Sequence, residues 1–327
     1  MNENSAEKNE VKSRISRREF LKISGIGTGA FIISNSLIGE YLSNLNPQIE
    51  KVEGGLSEYK IAWQARPWVW INLAIASDRL DGTVIPPGKE ISINNLLGFE
   101  KMQDVSRENT DPQKGFIAAQ MSDPSKLDGW GYGLCLGSTA IFRASLESPL
   151  LITDRGTHYD IYSDYFKDMS IGTDAAIFKP DPGDNLPETD LKLKNPTTTP
   201  LKLSFRIYDE FGQRLEPPAG DVSQLWYKAS YLDQLVRVLR RKVDEKTEVE
   251  LPKQYLPEHA FGNKKIVVQS AIAGDKLNYS VNLSPVKHGG STMVNGVEQY
   301  AFSRKLTLNE NNEEVKNYNE NFISQYR

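Results

Sequence analysis

Cysteine is almost absent: Cys135 is the single one in 327 residues. A lone thiol forms no internal disulfide, so packing has to hold the fold. Histidine is nearly as scarce, with only His158, His259 and His288. One Cys and three His cannot build an iron–sulfur or zinc-thiolate centre, and no metal or other cofactor is expected. Neither a GxGxxG nor a GxxxxGK loop occurs, which removes the common nucleotide-binding fingerprints. Charge of one sign is lacking too. Lys and Arg total 39 against 43 Asp and Glu, a net charge of −4. With the two signs interspersed there is no basic field for nucleic acid.

What is present begins with a leader. Ser16-Arg17-Arg18-Glu19-Phe20-Leu21-Lys22 follows a polar, basic stretch and precedes an uncharged run from 23 to 38. The paired arginines with Phe-Leu-Lys resemble the address read by the twin-arginine pathway, which carries folded proteins across the bacterial cytoplasmic membrane. The implied partner is the twin-arginine translocase. The implied location is the cell envelope or the outside. Gly25, Gly27 and Gly29 dilute the apolar run, whereas a true span wants roughly 20 strongly apolar residues. No clear Ala-x-Ala follows, so cleavage within 34–46 and retention as a tether both stay open. Signal and linker are assigned to 1–45.

The rest, about 285 residues, suits one large or two modest domains. A first block runs from Tyr59 to about 215. Within it, 69–76 is apolar enough for a buried helix or strand, and periodicity does not choose between them. Turn signals lie at Asp81-Gly82 and Pro87-Gly88. Gly129-Trp130-Gly131-Tyr132-Gly133 has glycine at alternate positions, which suits a sharply bent loop. A helix is expected over 138–148, stopped by Pro149. Short strands are expected over 150–153, 159–165 and 175–178. Leu201, Leu203, Phe205 and Ile207 alternate with polar residues as a half-buried strand does. Beyond a soft boundary near 210–220, a capping box at Asp221-Val222-Ser223-Gln224 opens a helix of about 222–244. Hairpins are expected around 273–275 and around 309–312. The predicted class is α+β: a twisted, mostly antiparallel sheet with a helix carrying Cys135 at its N-terminus. A β-rich accessory region over 216–327, with one long helix, should follow.

Several pieces of the first block, in order, resemble the VanW-like family, named for an accessory gene of glycopeptide-resistance clusters. They are Asn72-Leu73-Ala74-Ile75-Ala76, Pro87-Gly88-Lys89-Glu90-Ile91-Ser92-Ile93-Asn94, and the stretch Gly131-Tyr132-Gly133-Leu134-Cys135-Leu136-Gly137-Ser138-Thr139. Asp154-Arg155-Gly156-Thr157-His158, Gly172-Thr173-Asp174-Ala175-Ala176 and Asp190-Leu191-Lys192-Leu193-Lys194-Asn195 complete the pattern. The resemblance spans 70–205. Leu136 stands where the family has Gln, and Tyr159 where it has Ser. The implied setting is the cell envelope, and an envelope-binding or scaffold protein of accessory function is the leading expectation.

A chemical alternative rests on Cys135, His158 and Asp174. A thiol at a helix N-terminus meets unpaired N–H groups and the positive end of the dipole, which favour thiolate. Cys, His and a carboxylate in that order recur in cysteine hydrolases as nucleophile, base and orienter. The backbone of Gly131 and Gly133 offers oxyanion donors, and Trp130 and Tyr132 flank the loop as groove walls for a cell-wall peptide or glycan. The plain reading is a buried thiol acting as a small hydrophobe, a satisfied strand histidine and a turn-capping Asp. His259 and His288 look isolated. Trp63, Trp68, Trp70 and Trp226 suit packing better than a stacking platform. Separation of Cys135 from His158 decides between a cysteine-dependent hydrolase or transferase and a non-catalytic scaffold.

Overall fold

The computed structural model describes residues 49, 51–98, 116, 133–158, 161, 170–178, 188–218, 263–275, 277–288, 297–310 and 313–326. The chain divides into Met1–Glu40 and Tyr41–Arg327, and every described residue lies in the second unit. The leader, the helix expected over 222–244, most of the 159–165 strand, and Trp130, Gly131, Tyr132, Trp226 and His259 lie outside the described residues.

The apolar stretch at 69–76 is helical. Helix α1, Pro67–Leu80, starts with proline in its first turn, where the missing N–H costs nothing. It buries Trp68, Trp70, Ile71, Leu73, Ala74, Ala76 and Leu80, more than one face, so it lies sandwiched inside the molecule. That burial accounts for Trp68 and Trp70 as core residues. A short helix α2 covers Ile93–Leu97 and α3 covers Leu134–Leu146.

Eleven strands are described: β1 Gly55–Ala65, β2 Thr83–Ile85, β3 Glu90–Ser92, β4 Leu151–Arg155, β5 Leu191–Lys194, β6 Leu201–Asp209, β7 Lys264–Gly274, β8 Tyr279–Leu283, β9 Lys287–His288, β10 Glu298–Glu310 and β11 Glu313–Tyr326. They form three sheets, ordered β1-β7-β6-β2, β11-β10-β8 with β9 on β10, and β3-β5-β4. The pairings between these strands are antiparallel. The α+β class with mostly antiparallel pairing therefore stands, spread over three sheets.

Two strand expectations change. Segments flanking Ala273-Gly274-Asp275 do not pair with each other. Strand β7 lies between β1 and β6, and β8 joins β10 in another sheet. The reason is in the side chains. Ile266, Val267, Val268, Ala271, Ile272 and Ala273 are all buried, so β7 is apolar on both faces and suits a covered central position. Strand β8 is mostly exposed. The expected strand at 175–178 reduces to two isolated bridges, Gly156 with Ala176 and Phe178 with Thr189. The hairpin around 309–312 does form, as β10 and β11. The central sheet thus draws strands from both sides of the soft boundary near 210–220.

Candidate functional site around Cys135

Helix α3 begins at Leu134, four residues earlier than expected, so Cys135 sits inside its first turn. Gly133 is the N-cap with φ 94°, and its carbonyl accepts from the N–H groups of Leu136 at 3.0 Å and Gly137 at 3.3 Å. A Cβ at Gly133 would stand 2.9 Å from Val69 Cγ1 and 3.1 Å from the Val69 backbone. Left-handed conformation and close approach to α1 both require glycine there. One turn on, a Cβ at Gly137 would come 2.9 Å from the Phe205 ring, so α3 rests directly on β6. These contacts fix where the thiol points.

Strand β4 and the bridge from Gly156 to Ala176 bring His158 beside the segment that carries Asp174. The His158 Nδ1 is 2.6 Å from Asp174 Oδ2, and the His158 backbone N–H donates to the same oxygen at 3.1 Å. The Asp174 side chain has no solvent exposure and that of His158 only 13%. The imidazole also hydrogen-bonds the Cys135 side chain. Cys135 is half-buried, and its Sγ lies 3.5 Å from the Ile177 carbonyl oxygen. Cys135, His158 and Asp174 are therefore brought together in one hydrogen-bonded series. Gly133 adjoins them as the cap of the helix.

Further groups hold the Asp174 segment in place. The Ser138 hydroxyl donates to the Ala175 carbonyl at 2.6 Å, and Thr139 Oγ1 exchanges hydrogen bonds with the Ala175 backbone at 3.1 Å. Arg143 Nε donates to the Thr173 carbonyl at 2.5 Å. Arg155 Nη1 donates to the carbonyls of Gly172 at 3.0 Å and Asp174 at 3.1 Å. The Tyr326 phenol donates to Asp174 Oδ1. None of these five was assigned a role from sequence. Ser138 and Thr139 had a signal, since they follow Cys135 by three and four residues on one helical face. Tyr326 had none, being 152 residues from its partner.

The electrostatics follow from burial against pairing. Burial works against the His158 charge, but the ring's hydrogen bonds to Asp174 and Cys135, and its electrostatic interaction with both, overcome it and push the imidazole up to about 10. Burial would raise Asp174, yet His158, and behind it Tyr326, hold it below the usual carboxylate range. Burial and the Asp174 charge push the Tyr326 phenol up, so it remains a donor. Burial also lowers Arg143, to about 10, and Arg155. Elsewhere, His288 lies on the surface against Glu298 and Tyr300. Among the described residues no group of three or more His, Cys, Asp or Glu gathers as a metal site.

Residues 70–212 match the family model described as VanW like protein. The VanW-like region thus runs from α1 through β6 and contains Cys135, His158 and Asp174. Strands β1, β7, β10 and β11, with Tyr326, lie outside it. No curated protein and no solved structure matches the chain.

Proposed function

We propose that the protein is a cysteine-dependent acyl hydrolase or transferase of the cell envelope, acting on a peptide or amide bond at Cys135. One observation carries the reading: the unbroken hydrogen-bonded series from Cys135 through His158 to Asp174. In this scheme the thiolate attacks the amide carbonyl carbon. The oxyanion forms at the α3 N-terminus, where the N–H groups of Leu134 and Cys135 precede the first that Gly133 caps. Imidazolium at His158 gives its Nε2 proton to the departing amine, the C–N bond breaks, and an acyl-thioester remains. Water or a second amine then attacks the thioester. His158 takes the nucleophile's proton and the Cys135 thiolate leaves. Asp174 stays ionised throughout, orienting the ring through Nδ1 and stabilising its charge.

The envelope setting is supported by the Arg17-Arg18 leader and by the VanW-like resemblance, and the twin-arginine translocase is the proposed export partner. Changing both Arg17 and Arg18 to Lys should hold the protein in the cytosol, because an ammonium does not reproduce guanidinium geometry. Normal export on fractionation would remove the address.

A second reading, an accessory binding or scaffold protein, is favoured by one residue. Leu136 is buried in the core, where the family pattern has a side-chain amide beside the thiol. Native-state alkylation separates the two. The hydrolase reading expects iodoacetamide to label Cys135 near neutral pH in the folded protein. His158→Ala should slow labelling at least tenfold, on the order of the thiolate fraction it supports, and Asp174→Asn should slow it less. A thiol that reacts only after denaturation, or at equal rates in wild type and His158→Ala, leaves the scaffold.

A further inference from the structure

The last strand, β11, ends inside the site although it lies far outside the VanW-like region. Its Tyr326 is only 1% exposed, and the ring packs edge-on against Tyr300 with centroids 5.8 Å apart. Two residues earlier, the Ser324 hydroxyl donates to the Gly172 carbonyl at 2.6 Å and accepts from Arg155 Nη2 at 2.6 Å. Arg155 Nη2 also donates to the Ile323 carbonyl at 3.2 Å. Ser324 and Tyr326, alternate positions on one face of the strand, therefore grip the segment that carries Asp174.

We propose that Tyr326 is a positioning residue: its phenol locks the Asp174 carboxylate so that the opposite oxygen faces His158, and the C-terminal hairpin thereby completes a site that the VanW-like region does not complete alone. The inference rests on reading Cys135, His158 and Asp174 as one working unit. A buried carboxylate can turn about its Cβ–Cγ bond. Here Oδ2 takes both contacts from His158 and Oδ1 takes the phenol, so rotation breaks hydrogen bonds on both oxygens. The groups facing this carboxylate are His158, Tyr326 and the buried guanidinium groups of Arg143 and Arg155, with Cys135 beyond the imidazole. Arg143 and Arg155 reach the backbone around Asp174, which leaves the second carboxylate oxygen to the phenol. A phenol donor favours the ionised carboxylate, so its removal should make Asp174 easier to protonate.

The test follows the proton between His158 Nδ1 and Asp174 Oδ2 by low-field NMR in the full chain. That resonance disappears on acidification as Asp174 takes a proton. In Tyr326→Phe the acid limb should move up by about 1 pH unit, the worth of a hydrogen bond to a charged group. Incorporating 3-fluorotyrosine at 326, a more acidic phenol of nearly the same size, should move it down. Phenylalanine keeps the ring against Tyr300, and circular dichroism checks its fold. If Tyr326→Phe does not fold, the fluorotyrosine protein decides alone. An acid limb that stays put in a folded variant overturns the proposal. Alkylation of Cys135 in the same samples reads the nucleophile separately. A limb that moves beside an inert thiol overturns the hydrolase reading and leaves the link from Tyr326 to Asp174 standing.

Discussion

His158 concentrates the electrostatics of the molecule in one ring. Its folded pKa, about 10, lies above the ordinary 6.5. A group raised in this way stabilises the fold fully below pH 6.5, and that contribution is lost as pH rises through about 10. Asp174 is shifted the other way, so its contribution is present above the ordinary 3.8 and fades as pH falls below it. Stability should therefore peak on the mildly acidic side of neutrality. The melting temperature should fall steadily from pH 6.5 to about 10, and the decline should flatten in His158→Ala. A wild-type profile flat across that interval would show that the ring is neutral in the folded state. The three residues of the series could be picked out in sequence because chemistry restricted the choice to one thiol and few imidazoles. Tyr326 was not legible, since any of 14 tyrosines was formally eligible and only tertiary contact selects it.

At the scale of elements, α3 shows what local patterns convey and what they conceal. Its apolar spacing through Ile141 and Ala144 announced a helix. Its start lies four residues earlier than the sequence predicts, because the alternating glycines through 133 read as a loop. Gly133 does end the loop, as the left-handed cap, while Gly137 lies within the helix because Phe205 leaves no room for a side chain. The other end of α3 is closed from a distance. Arg304 of β10, 1% exposed, donates to the carbonyls of Leu146 and Leu150 at 2.8 Å each, to that of Ser148, and to Glu320 of β11. Cations suit helix C-termini, and this one also satisfies carbonyls that water does not reach. Arg304→Met should cost about 3–5 kcal/mol in urea unfolding, because it strands Glu320 and three buried carbonyls. Adding Glu320→Gln should recover part of that loss, since the stranded charge goes with it. A single-variant loss below about 1 kcal/mol would mean that solvent takes over the guanidinium's role.

For the whole molecule, the decisive fact is that the matched region does not own its core. Strand β6 carries Leu201, Leu203, Phe205 and Ile207 inward, but its long neighbour is β7, which pairs along nine residue positions from Leu201 to Asp209. Strand β1 adds the next row, with Ile61 and Ala65 buried. Ile266, Val268 and Ile272 from β7 share one apolar cluster with α1 and α3. Sequence patterning marked β6 and β7 as strands, did not mark β1, and could not pair them, because pairing across such separations is set by which faces must be covered. A fragment of residues 70–212 would lose β1, β7 and the Arg304 clasp together. It would expose the inward faces of both helices and leave β6 with only the three-residue β2 beside it. Each buried Ile or Val is worth about 1.5–3 kcal/mol, and Ile61, Ile266, Val268 and Ile272 alone sum to a sizeable part of a domain's usual 5–15 kcal/mol. The fragment should therefore show no cooperative thermal transition and poor dispersion in its amide NMR spectrum, while residues 49–327 melt in one step. A cooperatively folding 70–212 fragment would mean that the family region closes its own core, with β1 and β7 as additions to a finished sheet. A protein that behaves as expected instead owes the placement of Cys135, His158 and Asp174 to strands the family pattern does not contain.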